Sequence, residues 1–480
     1  MAGAGSLGDK SAGYVGDDTS FRVETDSMGD VKVPSGAYWG AQTQRAVENF
    51  SVSDLRIPVA LVRALGQVKR AAAEVNGALG LLEPRIAEAI GRAAGEMAQG
   101  KWDAHFPIDV FQTGSGTSWN MNANEVIANR ANELLGVPLG SKKPVHPNDH
   151  VNRGQSSNDV IPTVISLANR VRLDGLAEAM GLLQRSLSRK ASEFAGVLKI
   201  GRTHLQDAVP MTLGQEFSGW ARQVEKVREL VMRCAPGLEE LAIGGTALGT
   251  GINTHPDFAR RVTAALTQAT RIPFREASNK FEAIAARDSQ VELMGALNGT
   301  AVCLAKIAND LRLLASGPRT GLGEIVLPSL QPGSSIMPGK VNPVILEMTI
   351  QVAARVMGSS LSVTIGGQSG PLQLNMMLPL IAWETLGSME LVKNTCEALA
   401  MRCVDGIAAD VARSREWIEQ SLALVTPLAL KIGYDRAAKL AQKALAENRT
   451  VRDVVISEGV LSAQEADKIL DPRSMLGPSA

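Results

Sequence analysis

An all-α chain built around a bundle of long helices is what this sequence predicts, on three observations. Apolar residues fill 45% of the 480 positions and aromatics only 4%, and the apolar share is carried by Ala, Leu, Val and Ile in segments poor in proline, a composition suited to helix packing. From Val160 to about Phe194 apolar residues recur at three- and four-residue steps, which as one helix is roughly ten turns, or about 50 Å. Helix-start signals also recur, as prolines ahead of periodic stretches and as capping boxes. At roughly 150 residues per domain, the length suggests about three domains.

Taken in order, residues 1–18 are rich in Gly, Ala and Ser, carry Asp9, Asp17 and Asp18, and hold no arginine and no apolar run suited to a signal peptide; a flexible tail on a cytoplasmic protein is expected. Residues 21–50 scatter Gly, Pro and β-branched residues, and Val31-Lys-Val-Pro34 predicts a short hairpin or extended arm. After Pro58, the spacing of Leu61, Val62, Leu65, Val68, Ala72, Val75 and Leu79 predicts a helix, and Pro84 opens another reaching about Gln99. The polar turn Gln112-Thr-Gly-Ser-Gly-Thr-Ser-Trp-Asn-Met-Asn122 leads into a helix from about Met121 to Leu135, and the long helix begins near Asp159.

Thr212-Leu-Gly-Gln215 is a capping box opening the next long helix, through Phe217, Trp220, Val224, Val227 and Val231. Another runs from Asp288 to Ala315, where Ser316-Gly-Pro318 stops it; its apolar residues surround much of the circumference, so it must be buried on several faces. With the helices after Pro343 and Pro371, about five long central helices are expected. Beyond Asp410 the segments shorten to helices at Tyr434 to Glu447, Val451 to Glu458 and one opened by the capping box Ser462-Ala-Gln-Glu465. The expected division is an N-terminal, mainly helical domain (1–156), a central long-helix bundle (157–411) and a small C-terminal helical domain (412–480).

Charge excludes some classes of function. Lys plus Arg (49) balance Asp plus Glu (49), so no basic field exists to hold nucleic acid, and no membrane partner is expected. Any attraction for an anion must be local. Cys234, Cys303, Cys396 and Cys403 are too far apart to suggest a metal or iron–sulfur cluster and are expected as reduced core residues.

The stretch Gly333-Ser-Ser-Ile-Met-Pro-Gly-Lys-Val-Asn-Pro343 combines a loop, a fixed cation and a helix start. Gly333 and Gly339 open backbone angles closed to other residues, Ser334 and Ser335 offer hydroxyls, and Lys340 supplies a point charge. Asn342 and Pro343 read as N-cap and first helical position, so a helix dipole should face the same place. A dicarboxylate fits such a loop. It is not a nucleotide loop: five residues separate the glycines where that motif has four, and Val341 replaces the metal-binding Ser or Thr.

Elsewhere, the helix start after Gln112 offers N–H groups to an anion, and Ser156, Ser157 and Asn158 look like small donors at another. His146 and His150 are four apart, but Pro147, Asn148 and Asp149 argue against a helix there, and no metal site is expected. His204, in Gly201-Arg-Thr-His-Leu-Gln-Asp207, reads in isolation as a hydrogen-bonded structural histidine.

The Gly333 to Pro343 motif resembles that of the fumarase/aspartase superfamily, and blocks similar to class II fumarases extend from about Phe106 to about Tyr434. The resemblance implies a three-domain fold assembling into a homotetramer with a shared core of twenty helices and active sites built from three subunits. The implied activity is reversible hydration of fumarate to L-malate through a carbanion, without metal or other cofactor. Ser334 is the implied base, His204 the group acting on water, Glu347 the carboxylate orienting it, and Lys340 a charge stabiliser. Ser115, Gly116, Thr117, Ser156, Ser157, Asn158, Thr203, Ser335, Lys340 and Asn342 are implied substrate contacts. His146, Pro147, Asn148 and Asp149 resemble a secondary anion site. Trp119 stands where a small residue is expected, which puts local packing in question.

Aspartate ammonia-lyase shares the loop, but Asn279-Lys-Phe-Glu-Ala283, Gly244-Gly-Thr-Ala-Leu-Gly-Thr-Gly251 and Gln373-Leu-Asn375 look more like the fumarase forms. A non-catalytic structural member of the superfamily is a further alternative. Retention of Ser334, Lys340, Asn342, His204 and Glu347 together argues against it.

Overall fold

Five long helices dominate the chain: Ser157–Glu193, Leu213–Arg233, Asp288–Leu314, Val344–Gln368 and Leu378–Arg402. The computed structural model describes residues 20–477, so the tail expected over residues 1–18 lies outside the described residues. The first of the five has 37 residues, about 55 Å at the helical rise. Its apolar periodicity carries it past Pro162, which lies inside it and lacks the N–H that the Asn158 carbonyl would otherwise receive.

Signals read from the sequence recur as structure. Phe21–Asp26 and Gly29–Pro34 pair as an antiparallel hairpin. Pro58 is the N-cap of Val59–Ala78, and Pro84 is the first residue of Pro84–Ala98. At Thr212 the capping box is reciprocal: its N–H donates to Gln215 Oε1 (2.9 Å), and the Gln215 N–H donates to Thr212 Oγ1 (3.0 Å). Ser462 and Glu465 form the same box at Ala463–Ile469.

The chain forms two compact units. One comprises the chain up to Asp174 with Val231–Leu297 and Gly358–Glu390; the other comprises Gly175–Leu230, Asn298–Met357 and the chain from Leu391. The first is built on a continuous apolar core in which Leu61, Leu65, Val68, Ile90, Trp119, Ile127 and Ile161 are buried. In the second, Ile200 joins Ile418, Leu424, Leu428, Val454, Val455 and Leu470 in a separate core. Burial of such side chains contributes roughly 1.5–3 kcal/mol each.

Three helix starts differ from expectation. The helix after the Gly-rich turn begins at Thr117 rather than Met121, because Gly116 adopts φ +69° and serves as N-cap. The long helix begins at Ser157 rather than Asp159. The helix after the Gly333 loop begins at Val344, with the Pro343 carbonyl receiving Leu346 and Glu347 N–H. Pro343 therefore stands at the cap, and one Asn342 amide proton goes to the Gly333 carbonyl instead.

Candidate active site

The residues singled out in the sequence fall into two sets, one in each unit. In the first, the turn ending at Gly116 is held by close backbone approach. The Leu378 N–H donates to the Gly114 carbonyl at 3.0 Å, and a Cβ on Gly114 would lie 2.0 Å from the Met376 carbonyl oxygen. Only glycine fits there. Ser115 is buried, with its hydroxyl 2.8 Å from that of Thr117, so both hydroxyls stand beside the first turn of Thr117–Leu134, whose N–H groups have no intrahelical acceptor. Trp119 is fully buried in the core, so its bulk is accommodated, at the cost of an indole N–H with no partner among the described residues.

The helix start at Ser156 to Asn158 is capped from both sides. Ser156 Oγ accepts the Asn158 N–H (3.2 Å) while Asp159 Oδ1 accepts the Ser156 N–H (2.9 Å). Asp159 Oδ2 also receives Gly244 and Thr246 N–H, and burial pushes its carboxyl up to about 6. Ser157 Oγ accepts from Asn120 Nδ2 at 2.9 Å, and Asn158 Nδ2 donates to the Ala247 carbonyl at 2.8 Å. Beneath this turn lies Lys69, which burial pushes down to about 7.

Pro147–Val151 forms a single π-type turn, which corrects the expectation of no helix there. Proline is tolerated because it occupies a first-turn position whose N–H needs no intrahelical acceptor. His146 Nδ1 accepts the Asn148 and Asp149 N–H at 3.2 Å each, and His150 Nδ1 accepts the His146 N–H at 2.8 Å. These ring nitrogens are committed to backbone.

In the second unit, His204 stands at the tip of a β-hairpin, Leu198–Thr203 against Gln206–Thr212, not beside a helix. Thr203 pairs with Gln206, so His204 and Leu205 form a two-residue turn with φ +55° and +59°, the geometry that matches hairpin twist. Leucine in that region is strained, a feature that gathers at functional sites. A buried ionic cluster anchors the hairpin: Arg202 donates to Glu324 Oε1 (2.8 Å), and Lys199 bridges Glu324 (3.2 Å) and Glu216 (2.9 Å).

The Gly333 loop is closed at its neck. Gly333 N–H donates to the Lys340 carbonyl (2.8 Å), and Asn342 Nδ2 donates to the Gly333 carbonyl (2.7 Å). A Cβ on Gly333 would meet Asn342 N and Lys340 O at 2.7 Å, and Gly339 has φ +83°. Within the loop, Ser334 Oγ accepts the N–H of Ile336 (3.3 Å) and Met337 (3.0 Å). Ser335 and Lys340 are exposed, and Glu347 is half-buried in the first turn of Val344–Gln368. Two N–H donors aimed at a serine oxygen favour negative charge on it.

Residues 29–358 match the family described as Lyase, and residues 424–477 match that described as Fumarase C C-terminus. The chain is 50% identical over 466 residues to the protein of Rattus norvegicus named fumarate hydratase, mitochondrial, covering 96% of this chain and 91% of that one. It is 51% identical over 459 residues to fumarate hydratase class II 2 of Bradyrhizobium diazoefficiens, covering 95% and 97%. The crystal structure of class II fumarase from Schistosoma mansoni superposes with a TM-score of 0.92 at 39% identity, covering 96% of this chain and all of that one. With the family match spanning most of its length and half of its residues shared with such relatives, the chain belongs to the class II fumarases of the fumarase/aspartase superfamily.

Proposed function

We propose that this protein catalyses the reversible hydration of fumarate to L-malate. The observation that carries this reading is the closed Gly333 to Pro343 loop, with Ser334 Oγ facing two N–H donors, in a chain about half identical to proteins named fumarate hydratase.

Read from malate, a base removes the proton next to one carboxylate, and that carboxylate then carries about one more negative charge. Ser334 is the base. A serine hydroxyl has no useful basicity in water, and the Ile336 and Met337 N–H groups with the Lys340 charge supply the stabilisation an alkoxide demands. Fixed donors aimed at the developing charge contribute several kcal/mol of transition-state stabilisation. His204, oriented by Glu347, protonates the leaving hydroxyl through a bound water, or activates water in reverse. Ser115, Gly116, Thr117, Ser156, Ser157, Asn158, Thr203, Ser335, Lys340 and Asn342 hold the two carboxylates, and His146 to Asp149 form a secondary anion site. Lys340 and the N–H groups carry the neutralisation, so the reading calls for no metal or organic cofactor.

The working form in this reading is a homotetramer with sites built from three subunits. It is supported by large apolar side chains exposed on the helices of the single chain: Leu361 is 63% and Ile365 44% exposed on one helix, and Val302 is 53% exposed on another. The division at about residues 156 and 411 belongs to the same reading, with the clustering of Ile418, Leu428, Val454 and Leu470, which Ile200 joins, in support of a small C-terminal domain. A reducing, cytoplasmic location belongs to the same reading, and the four cysteines are buried and outside any disulfide among the described residues.

Replacing Ser334 by Ala tests the assignment. Turnover of L-malate should fall by about 10²-fold or more, the scale of a lost general base, with the oligomer intact by sedimentation. Loss of assembly with normal turnover in the surviving oligomer would make the loop structural.

A further inference from the structure

Lys69 lies in the apolar stripe of Val59–Ala78, among Leu65, Val68 and Ala72, with no exposed surface. Burying an ammonium is costly unless its protons find acceptors. Here Nζ donates to Asn152 Oδ1 and Gln155 Oε1, each at 2.9 Å. Charged or as the neutral amine that burial favours, its Nζ carries at least two N–H groups for these two acceptors, so it sets which end of each amide faces it. Asn152 must turn its oxygen to Lys69.

That orientation propagates. Asn152 Oδ1, once facing inward, also accepts from Asn120 Nδ2 and Asn124 Nδ2 at 3.2 Å each, and Asn152 Nδ2 is left to donate to the Gln155 carbonyl at 3.1 Å. Asn120 therefore presents its NH₂ end, whose other proton goes to Ser157 Oγ at 2.9 Å. Its own Oδ1 is buried without a partner among the described residues, a cost the network accepts to keep this polarity. With its oxygen already accepting, Ser157 keeps its own proton free to donate outward.

We propose that Lys69 is a positioning residue for the turn Ser156-Ser157-Asn158: through Asn152 and Asn120 it sets the direction of a hydrogen-bond chain that ends with the Ser157 hydroxyl presenting its proton to a substrate carboxylate. The proposal rests on the reading of that turn as a carboxylate site. Lys69 does not touch substrate, so its loss acts on binding more than on chemistry.

The experiment is steady-state kinetics with L-malate on the full-length oligomer for Lys69→Met, Asn120→Asp, Ser157→Ala and the double variant Lys69→Met/Ser157→Ala. Lys69→Met should raise KM about tenfold, the weight of one hydrogen bond to a charged group, and leave kcat within about threefold. In the Ser157→Ala background the same change should alter KM by less than about twofold, because the chain then has no recipient. Asn120→Asp keeps Lys69 and the side-chain volume but turns the donor into an acceptor, and should raise KM likewise; it carries the test if Lys69→Met does not fold. An equal Lys69→Met effect with and without Ser157, or an unchanged KM in Asn120→Asp, overturns the role of Lys69. An unchanged KM in Ser157→Ala instead overturns the carboxylate site beneath the proposal, and the proposal with it.

Discussion

Lys69 and Asp159 are both fully buried, and burial moves each toward its neutral form, to about 7 and about 6. For Lys69 the folded value lies below the unfolded 10.5, so from about pH 7 to 10.5 the unfolded chain holds a proton the folded one has released, and stability rises with pH across that window. For Asp159 the folded value lies above 3.8, so stability falls as pH rises from about 3.8 to 6. The pair contributes least between pH 6 and 7. In denaturant titrations wild type should gain on Lys69→Met by about 2 kcal/mol between pH 7 and 9; parallel pH curves for the two proteins would place the titration elsewhere. At this scale the sequence was legible where a residue's role is local. Gly339 was read as opening a backbone angle closed to other residues, and its φ of +83° agrees; Gly333 takes no such angle and needs glycine because a Cβ would meet Asn342 N and Lys340 O at 2.7 Å. Asn342 was misread as a cap because nothing in the sequence says that Gly333, nine residues away, would claim its amide. Lys69 carried a signal that was passed over, a lone lysine within the apolar stripe of a helix, while its acceptors at Asn152 and Gln155 lie more than eighty residues on.

Among elements, helices were legible because the information is local: apolar spacing, Pro58 and Pro84 at helix starts, and the two capping boxes, each confirmed by reciprocal hydrogen bonds. The His204 hairpin was not. Its turn is His204-Leu205 rather than a Gly- or Asn-bearing pair, and its anchor, the Arg202 to Glu324 ion pair, spans 122 positions. The Gly-rich turn was read as a helix start with N–H groups open to an anion, its substrate role being implied only by the resemblance, and its support on the Met376 segment needs tertiary packing to be seen. Gly114→Ala tests that support. The added Cβ would meet a carbonyl oxygen at 2.0 Å, and relief requires backbone movement, costing about 1–3 kcal/mol or more. The variant should melt several degrees lower and show a raised KM, since Ser115 and Thr117 move with the turn. Unchanged melting and KM would mean that the Met376 segment yields freely.

For the whole molecule, five long helices and a small helical C-terminal region were legible from composition and periodicity, and the fold agrees with that of the Schistosoma mansoni enzyme along almost all of the chain. That Ser334, His204 and the helix-start donors act together is part of the proposed reading, and it came from the family resemblance, because periodicity leaves association surfaces unassigned. Large apolar side chains exposed on the central helices are what the proposed association would cover. Dilution to monomers should therefore abolish specific activity, with recovery on reconcentration; monomers as active as the oligomer would contradict shared sites. The measurement that bears most directly on the central claim is the ultraviolet absorbance of fumarate's conjugated double bond when the purified, chelator-treated protein is given L-malate and, separately, L-aspartate. Fumarate hydration predicts a rise with malate alone. A rise with aspartate alone, or no rise with either from an intact oligomer, would contradict it.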